Sequence, residues 1–354
     1  MRTITAIMGD GIGPEVMEAA MRVVDATGVK IKWERVCAGM TALTEKGSPL
    51  PQETLDSIAR NRVALKGPCD TPIGGGFASV NVALRKRFDL YANIRPVKSR
   101  PGVKSRYENV DLVIFRENIE DVYGESDQFL GKQLKHSSVW TSCARMTGYI
   151  TEYNSRRFFQ QVFNYALKNN RRKATIVHKA NILKNTHGLF LSTGKQVFEK
   201  YPSLVRNGFV LDDMIVDNTA QKLVLDPTRF DMIATTNMFG DILSDLCAGL
   251  VGGLGLAPGA NIGDTGAIFE AVHGTAPDIA SKGIANPTAL ILSAAMMLDY
   301  LGEIEAGKVI KKAVERVIVR GEKVTRDINS YLEIGTEEMT SEIVYTVTDL
   351  CRRA

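Results

Sequence analysis

Two aspartates four positions apart, Asp241 and Asp245, stand in the string NMFGDILSDLCAGL. On a helix that spacing projects both carboxylates from one face, where their oxygens can hold a hard divalent cation. A bare Asp-x-x-x-Asp is ordinarily a solvated acidic face, but Phe239, Ile242, Leu243, Leu246 and Leu250 leave little of this helix to face water. Acids among so many apolar neighbours need a counterion. A third acid, Asp217, follows the β-type run MIV and opens the helical pattern VDNTAQKLV. It reads as an N-cap and, compatibly, as a metal ligand, because either role puts an exposed carboxylate at a strand end.

The string TPIGGGFASVNVALRKRFDLYANIRP supplies cations. Gly74 to Gly76 predict a flexible loop, Ser79 caps the helix that follows, Arg85 rides on that helix, and Arg95 comes off the next extended run. Arg116, in VIFRENIEDVYGE, joins them. Guanidinium groups make paired, charge-assisted hydrogen bonds to planar carboxylates. Singly each arginine reads as a surface residue; their company points to an anionic substrate. Tyr123 lies near Arg116, and Lys179 ends the β run of TIVHKANILKN. A strand's C-terminal end faces the crevice where α/β sheets bind ligands, and a nearby cation favours the neutral, proton-accepting form of a lysine. The plainer alternatives are a half-buried ring for Tyr123 and a strand-end charge for Lys179.

In GDTGAIFEAVHGTAPDIASKGIANP, Gly, Ala and Pro are dense between helix candidates, which predicts an ordered loop that lets backbone approach a ligand. Asp278 can accept hydrogen bonds from a ribose diol and would repel a 2′-phosphate, favouring NAD over NADP, although Lys282 works against this. GDGIGPE near the start is not a dinucleotide fingerprint, since Pro14 stands where the last glycine belongs.

These residues need a scaffold. Apolar β-type segments at 4–8, 31–37, 62–65, 111–115, 175–178, 209–215 and 231–235 alternate with helical patterns, which predicts an α/β architecture. Pro14 and Pro51 occupy first-turn positions, and further helices are expected over 147–169, much of 287–320, and 337–351. With 354 residues the chain exceeds one ordinary core, so two domains are expected, with the turn-rich KSRPGVKSRYENV (Lys98 to Val110) crossing between them. A formal charge of +4 without a long basic run argues against nucleic acid. The apolar stretch LCAGLVGGLGLAPG is too glycine-rich for a membrane span, and the opening apolar run is too short for a signal peptide. The five scattered cysteines form no Cys-x-x-Cys and suggest neither a disulfide framework nor a zinc knuckle. A reducing cytoplasm is the expected setting.

GDGIGPE, SVNVALRKRFDLYANIRP, FRENIEDVYGE, VHKANILK, VDNTAQ, NMFGDILSDLCAGLVGGLGLAPGANIG and HGTAPDIASKGIANP occur in this order over residues 9 to 287. Together they resemble the isocitrate/isopropylmalate (β-decarboxylating) dehydrogenase family, its isocitrate-oxidising members most. The resemblance implies that family's two-domain fold with a central cleft, which is not a classical Rossmann fold. A large cofactor domain would comprise residues 1–98 and 252–354. A small domain, 99–251, would carry metal ligands and a clasp for a homodimer.

Carried over residue by residue, the resemblance implies that Ser79, Asn81, Arg85, Arg95 and Arg116 bind a tricarboxylate. Tyr123 and Lys179 would handle protons, and Asp217, Asp241 and Asp245 would hold Mg²⁺ or Mn²⁺. Thr71, His273, Gly274, Thr275, Ala276, Asp278, Ile279 and Asn286 would line the NAD site. Lys179 and Asp217 would face the partner copy's Asp241 and Asp245. The implied reaction is oxidative decarboxylation of isocitrate to 2-oxoglutarate and CO₂ in the tricarboxylic acid cycle, with homoisocitrate or 3-isopropylmalate as alternative substrates. Arg326 and Ser330 stand where NADP-dependent relatives grip the 2′-phosphate with Tyr and Arg. A non-catalytic regulatory subunit of the same fold is the competing class; the presence of Lys179, Tyr123 and all three aspartates argues against it.

Overall fold

The computed structural model describes residues 1–72, 76–123, 127–136 and 139–353. Gly74 and Gly75, and Gly124 and Glu125 of the FRENIEDVYGE string, lie outside the described residues. In chain order the strands and helices are β1 (Arg2–Ile7), α1 (Gly13–Asp25), β2 (Ile31–Val36), α2 (Met40–Lys46), α3 (Gln52–Asn61), β3 (Val63–Lys66), α4 (Val80–Arg87), β4 (Ala92–Lys98), β5 (Asp111–Glu117), β6 (Asp127–His136), β7 (Val139–Met146) and α5 (Glu152–Lys168). They continue with β8 (Lys173–His178), α6 (Thr186–Phe198), α7 (Pro202–Arg206), β9 (Val210–Ile215), α8 (Val216–Leu225), β10 (Met232–Thr235), α9 (Asn237–Leu250), β11 (Pro258–Ile262), β12 (Ala267–Ala271), α10 (Thr288–Tyr300), α11 (Ile304–Arg320) and α12 (Thr336–Arg353). The chain forms two compact units, Met1–Val113 with Ser244–Ala354, and Ile114–Leu243. The Lys98 to Val110 segment belongs wholly to the first unit, where Ser99 N–H bonds the Val110 carbonyl at 3.0 Å.

In the first unit the strand order is β2-β1-β3-β12-β11-β4. β1 pairs parallel with β2 and β3, and β3 with β12; β11 then runs antiparallel to both β12 and β4. β3 (VALK) is buried at every position, as a strand covered on both faces must be. The two strands in PGANI and AIFEA were not expected, because five-residue runs interrupted by Gly, Asn and Glu lack both the alternation and the β-branched density that mark a strand. What reads as one long loop is therefore β12 followed by a shorter loop. α1 carries Pro14 in its first turn and buries Val16, Met17, Ala20 and Val24 at helical spacing. Pro51 instead stands just before α3, as its N-cap residue. α10 (TALILSAAMMLDY) is apolar nearly all round and lies buried at the centre of the unit.

The second unit orders its strands β5-β10-β8-β9, with β8 parallel to both β10 and β9. Its core is aromatic: Phe158 and Phe159 of α5 meet Phe190 of α6 with ring centroids 5.7 and 4.7 Å away. β6 and β7 form a separate antiparallel pair.

Candidate functional site

In the second unit, the end of β5 delivers Arg116 to the first turn of α9. The residue is 2% exposed, and its Nε and Nη2 donate to Asn237 Oδ1 at 2.9 and 2.7 Å. Nη1 forms an ion pair with Asp241. This geometry needs Gly240, because a Cβ there would lie 2.6 Å from both Cβ and Cγ of Arg116. Tyr123 completes the cluster: its hydroxyl donates to Asp241 Oδ2 at 3.3 Å, and its ring lies 5.5 Å from the Arg116 guanidinium carbon. Burial, and after it the negative charge of Asp241, pushes the Tyr123 phenol up from its ordinary range.

The loop bearing Tyr123 is clamped to the same helix. Asn237 Nδ2 donates to the Glu120 carbonyl at 3.1 Å, and Met238 N–H donates to Asp121 Oδ2 at 3.1 Å. Glu117 accepts the backbone N–H groups of Ile119 and Glu120 at 3.0 and 2.9 Å. Its complete burial pushes the carboxyl up to about 8, against the pull of those hydrogen bonds.

Lys179 leaves the end of β8 and pairs through Nζ with Asp217. Its backbone N–H donates to His187 Nδ1 at 3.3 Å, and the next N–H, of Ala180, donates to His178 Nδ1 at 3.0 Å. Both imidazoles therefore present an unprotonated Nδ1 to the turn that carries the lysine. Asp217 does not cap its helix: α8 begins at Val216 with Ile215 before it, and the Asp217 carboxylate bonds Lys179 instead, which holds its carboxyl below the ordinary range.

In the first unit Arg95 is 7% exposed: Nε donates to Asn93 Oδ1 at 2.9 Å, and Nη1 to Ser244 Oγ at 2.6 Å and Asp245 Oδ1 at 3.2 Å. Arg85 belongs to a buried charge group. Glu270 takes Lys66 Nζ at 2.8 Å and Arg85 Nη2 at 3.3 Å, and also accepts from Asn261 Nδ2 at 2.8 Å. Burial raises the Glu270 carboxyl, but Lys66 and Arg85 outweigh it and hold the group far below the carboxylate range. A small cavity lined by Lys66, Asn81, Arg85 and Glu270 opens beside the group. Asn81 Oδ1 and Arg85 Nε are buried there without a hydrogen-bond partner among the described residues, an acceptor and a donor that a polar ligand would satisfy. Ser79 is the N-cap of α4, its Oγ accepting from Val82 N–H at 3.5 Å.

The residues assigned to NAD lie on loops of the same unit. Thr71 and Asp278 are exposed, and Ile279 N–H closes a turn on the Ala276 carbonyl at 3.1 Å. Ala276 has φ +41°, a conformation that L side chains seldom take. His273 Nδ1 bonds the Gly274 carbonyl at 3.0 Å, while its Nε2 is buried without a partner among the described residues; burial also pushes this imidazole down. Asn286 is used internally, donating to Asp327 at 2.9 Å and accepting from Thr288 N–H at 3.0 Å.

By donor type alone, the carboxylates of Asp217, Asp241 and Asp245 suit a hard dication. Their side chains are 38% (Asp241), 51% (Asp245) and 68% (Asp217) exposed, whereas the arginines that brace the first two are 2% (Arg116) and 9% (Arg95) exposed. Asp241 and Asp245 stand one turn apart on α9. Among the described residues, however, no three His, Cys, Asp or Glu side chains gather into a metal-binding group. For NAD, the orphaned His273 nitrogen and the open loop fit a polar ligand.

Sequence reasoning did not single out Asn237, Asn93, Ser244, Lys66, Asn261 or Glu270. For three of them the available signal was a polar residue inside a buried strand: Lys66 in VALK, Asn261 in PGANI and Glu270 in AIFEA.

A family model described as isocitrate/isopropylmalate dehydrogenase matches residues 3–343. An isocitrate/homoisocitrate dehydrogenase of Thermus thermophilus is 47% identical over 350 residues, covering 98% of this chain and 99% of its own. A mitochondrial regulatory subunit of the NAD isocitrate dehydrogenase of Dictyostelium discoideum is 44% identical over 350 residues, covering 99% of this chain and 93% of its own. A crystal structure of isocitrate dehydrogenase from Methylococcus capsulatus superposes with a TM-score of 0.92 at 48% identity, covering 98% of this chain and all of that one. No helix among the described residues is long and apolar enough to cross a membrane.

Proposed function

We propose, from the premise that the chain belongs to the isocitrate/isopropylmalate dehydrogenase family, that it catalyses NAD-dependent oxidative decarboxylation of isocitrate to 2-oxoglutarate and CO₂. The observation that carries this reading is the cluster in which Asp241 binds both the guanidinium of Arg116 and the hydroxyl of Tyr123. It joins a carboxylate-binding cation, a metal-ligating acid and a proton donor.

In this reading Arg85, Arg95 and Arg116 hold the substrate carboxylates, with Asn81 and the Ser79 hydroxyl at the distal one. Thr71, His273 and Asp278 would hold NAD, which would supply the hydride acceptor, and Asp217, Asp241 and Asp245 would hold a divalent cation, which would supply stabilisation of negative charge on the substrate oxygen. Lys179 carries the hydroxyl proton away, and Tyr123 returns a proton to the carbon that loses CO₂. Exposed Asp278 would repel a 2′-phosphate, which supports NAD over NADP. We place the complete ligand set across two copies of the chain, Asp217 and Lys179 of one beside Asp241 and Asp245 of the other. Supporting this homodimer are the exposed apolar side chains of Ile182, Leu183, Leu225 and Ile242, all in the second unit.

A second reading, homoisocitrate oxidation, is favoured by the Thermus relative, whose description names both substrates. The Dictyostelium relative is described as a regulatory subunit, but the set of Lys179, Tyr123 and the three aspartates favours a catalytic chain. The test is a matrix of isocitrate, homoisocitrate and 3-isopropylmalate, each with NAD or NADP, with and without Mn²⁺. Fastest turnover of isocitrate with NAD and Mn²⁺ is expected. Preferential oxidation of either other acid would replace the substrate assignment, and no turnover at all would favour a regulatory subunit.

A further inference from the structure

The glycine-rich opening string, too poor a match to serve as a dinucleotide fingerprint, forms a tightly packed turn of the first unit. Asp10 at its centre is 5% exposed, and its carboxylate accepts four hydrogen bonds. Oδ2 takes Met40 N–H and Asp70 N–H, both at 2.9 Å, while Oδ1 takes Thr41 N–H and the Thr41 hydroxyl, both at 2.8 Å. Backbone bonds extend the joint: Asp10 N–H donates to the Pro68 carbonyl at 2.7 Å and Ile12 N–H to the Thr275 carbonyl at 3.0 Å. No room is left for larger residues. A Cβ on Gly9 would strike the Pro68 carbonyl, one on Gly11 the Thr275 carbonyl, and one on Gly39 the Asp10 carboxylate.

This single turn thereby ties together the segment ending in Thr71, the start of α2, and the loop containing His273 to Ile279. Two of those three segments carry every residue assigned to NAD except Asn286. We propose that Asp10 is a positioning residue for the nicotinamide cofactor: without touching it, the buried carboxylate fixes the Asp70–Thr71 segment to the start of α2, within the turn whose Ile12 N–H holds the Thr275 loop. The inference rests on the cofactor assignment made above. Asparagine has only one acceptor oxygen, so Asp10→Asn must turn an NH₂ group toward backbone N–H donors that it cannot accept. The Asp70–Thr71 segment then shifts away from this turn, at a cost borne by cofactor binding.

The experiment is NADH binding to the intact protein, followed by fluorescence, alongside steady-state kinetics. Asp10→Asn is expected to raise the NADH Kd by about tenfold or more, to raise KM for NAD in parallel, and to leave KM for isocitrate and kcat at saturating NAD within about threefold. Thr41→Val removes one of the four bonds and is expected to raise the Kd by about threefold, with Thr41→Ser restoring it. A role confined to stability would lower Tm and leave every Kd in place. If Asp10→Asn does not fold, the Thr41 pair decides. Unchanged NADH affinity in a folded Asp10→Asn protein, or in Thr41→Val where only that variant folds, overturns the proposal. A wild-type protein that binds neither NADH nor NADPH sinks the cofactor assignment and this inference with it, whereas wild-type binding with unmoved variants sinks this inference alone.

Discussion

The guanidinium of Arg116 and the carboxylate of Asp241 form an ion pair across 125 positions of sequence, with the arginine buried and the aspartate open to solvent. Since Asn237 holds the other edge of the guanidinium, Asp241 is aimed outward from a fixed base. Backbone packing makes this possible, because Gly240 lets α9 lie directly against the Arg116 side chain.

Gly240→Ala should therefore displace Arg116. A methyl group 2.6 Å from two of its carbons cannot be absorbed without moving side chain or helix. We expect a loss of about 1–3 kcal/mol in stability by urea unfolding and a rise of about tenfold or more in KM for the tricarboxylate. A variant with wild-type KM would show that Arg116 does not contact substrate.

Tyr123→Phe removes the hydroxyl that bonds Asp241 and keeps the ring beside Arg116. Reduction of added oxalosuccinate should be spared relative to complete oxidative decarboxylation, which should fall by about 10²-fold or more. Equal losses in both assays would take Tyr123 out of proton transfer to carbon.

Glu270→Gln leaves Lys66 and Arg85 buried without their carboxylate; their side chains are 3% and 10% exposed. Removing one partner of a buried charge group costs about 3–5 kcal/mol, and we expect a loss of that order at neutral pH. Because Lys66 and Arg85 depress the Glu270 carboxyl, the stability it contributes is present above the unfolded-state value of 4.5 and fades as pH falls below it. The deficit of Glu270→Gln should accordingly shrink toward acid pH in denaturation titrations. A deficit independent of pH would mean that shape, not charge, is what Glu270 supplies.

Glu117 runs the opposite way. Burial raises its carboxyl from 4.5 to about 8, so the folded state holds the proton more tightly than the unfolded chain. Its contribution is fully present below pH 4.5 and is lost as pH rises toward 8. Gln at this position cannot titrate and offers a single acceptor to the N–H groups of Ile119 and Glu120. Glu117→Gln should melt well below wild type near pH 5 and approach it near pH 8, as measured by Tm across that range. Parallel melting curves would contradict a buried, protonated Glu117.

The family was legible in the order of the strings, and the alternation of apolar runs with capped helical patterns placed most strands within a residue or two, because both signals are local in sequence. β6, β7, β11 and β12 escaped; the last two are five-residue strands rich in Gly, Ala and polar residues, which have no period to read. Asp217 looked like a cap because its type and position suit one; only the folded chain brings Lys179 to it from 38 positions away.

The sequence by itself determined which side chains with useful chemistry are present: the three acids, the three arginines, Lys179 and Tyr123. Tertiary structure alone decided the pairings, Arg116 with Asp241, Arg95 with Asp245, Arg85 and Lys66 with Glu270, and Asp10 with both the start of α2 and the Asp70 segment. The physical reason is range. Periodicity and capping act within a few residues, whereas a buried charge is matched by whichever strand or helix the sheet order sets beside it.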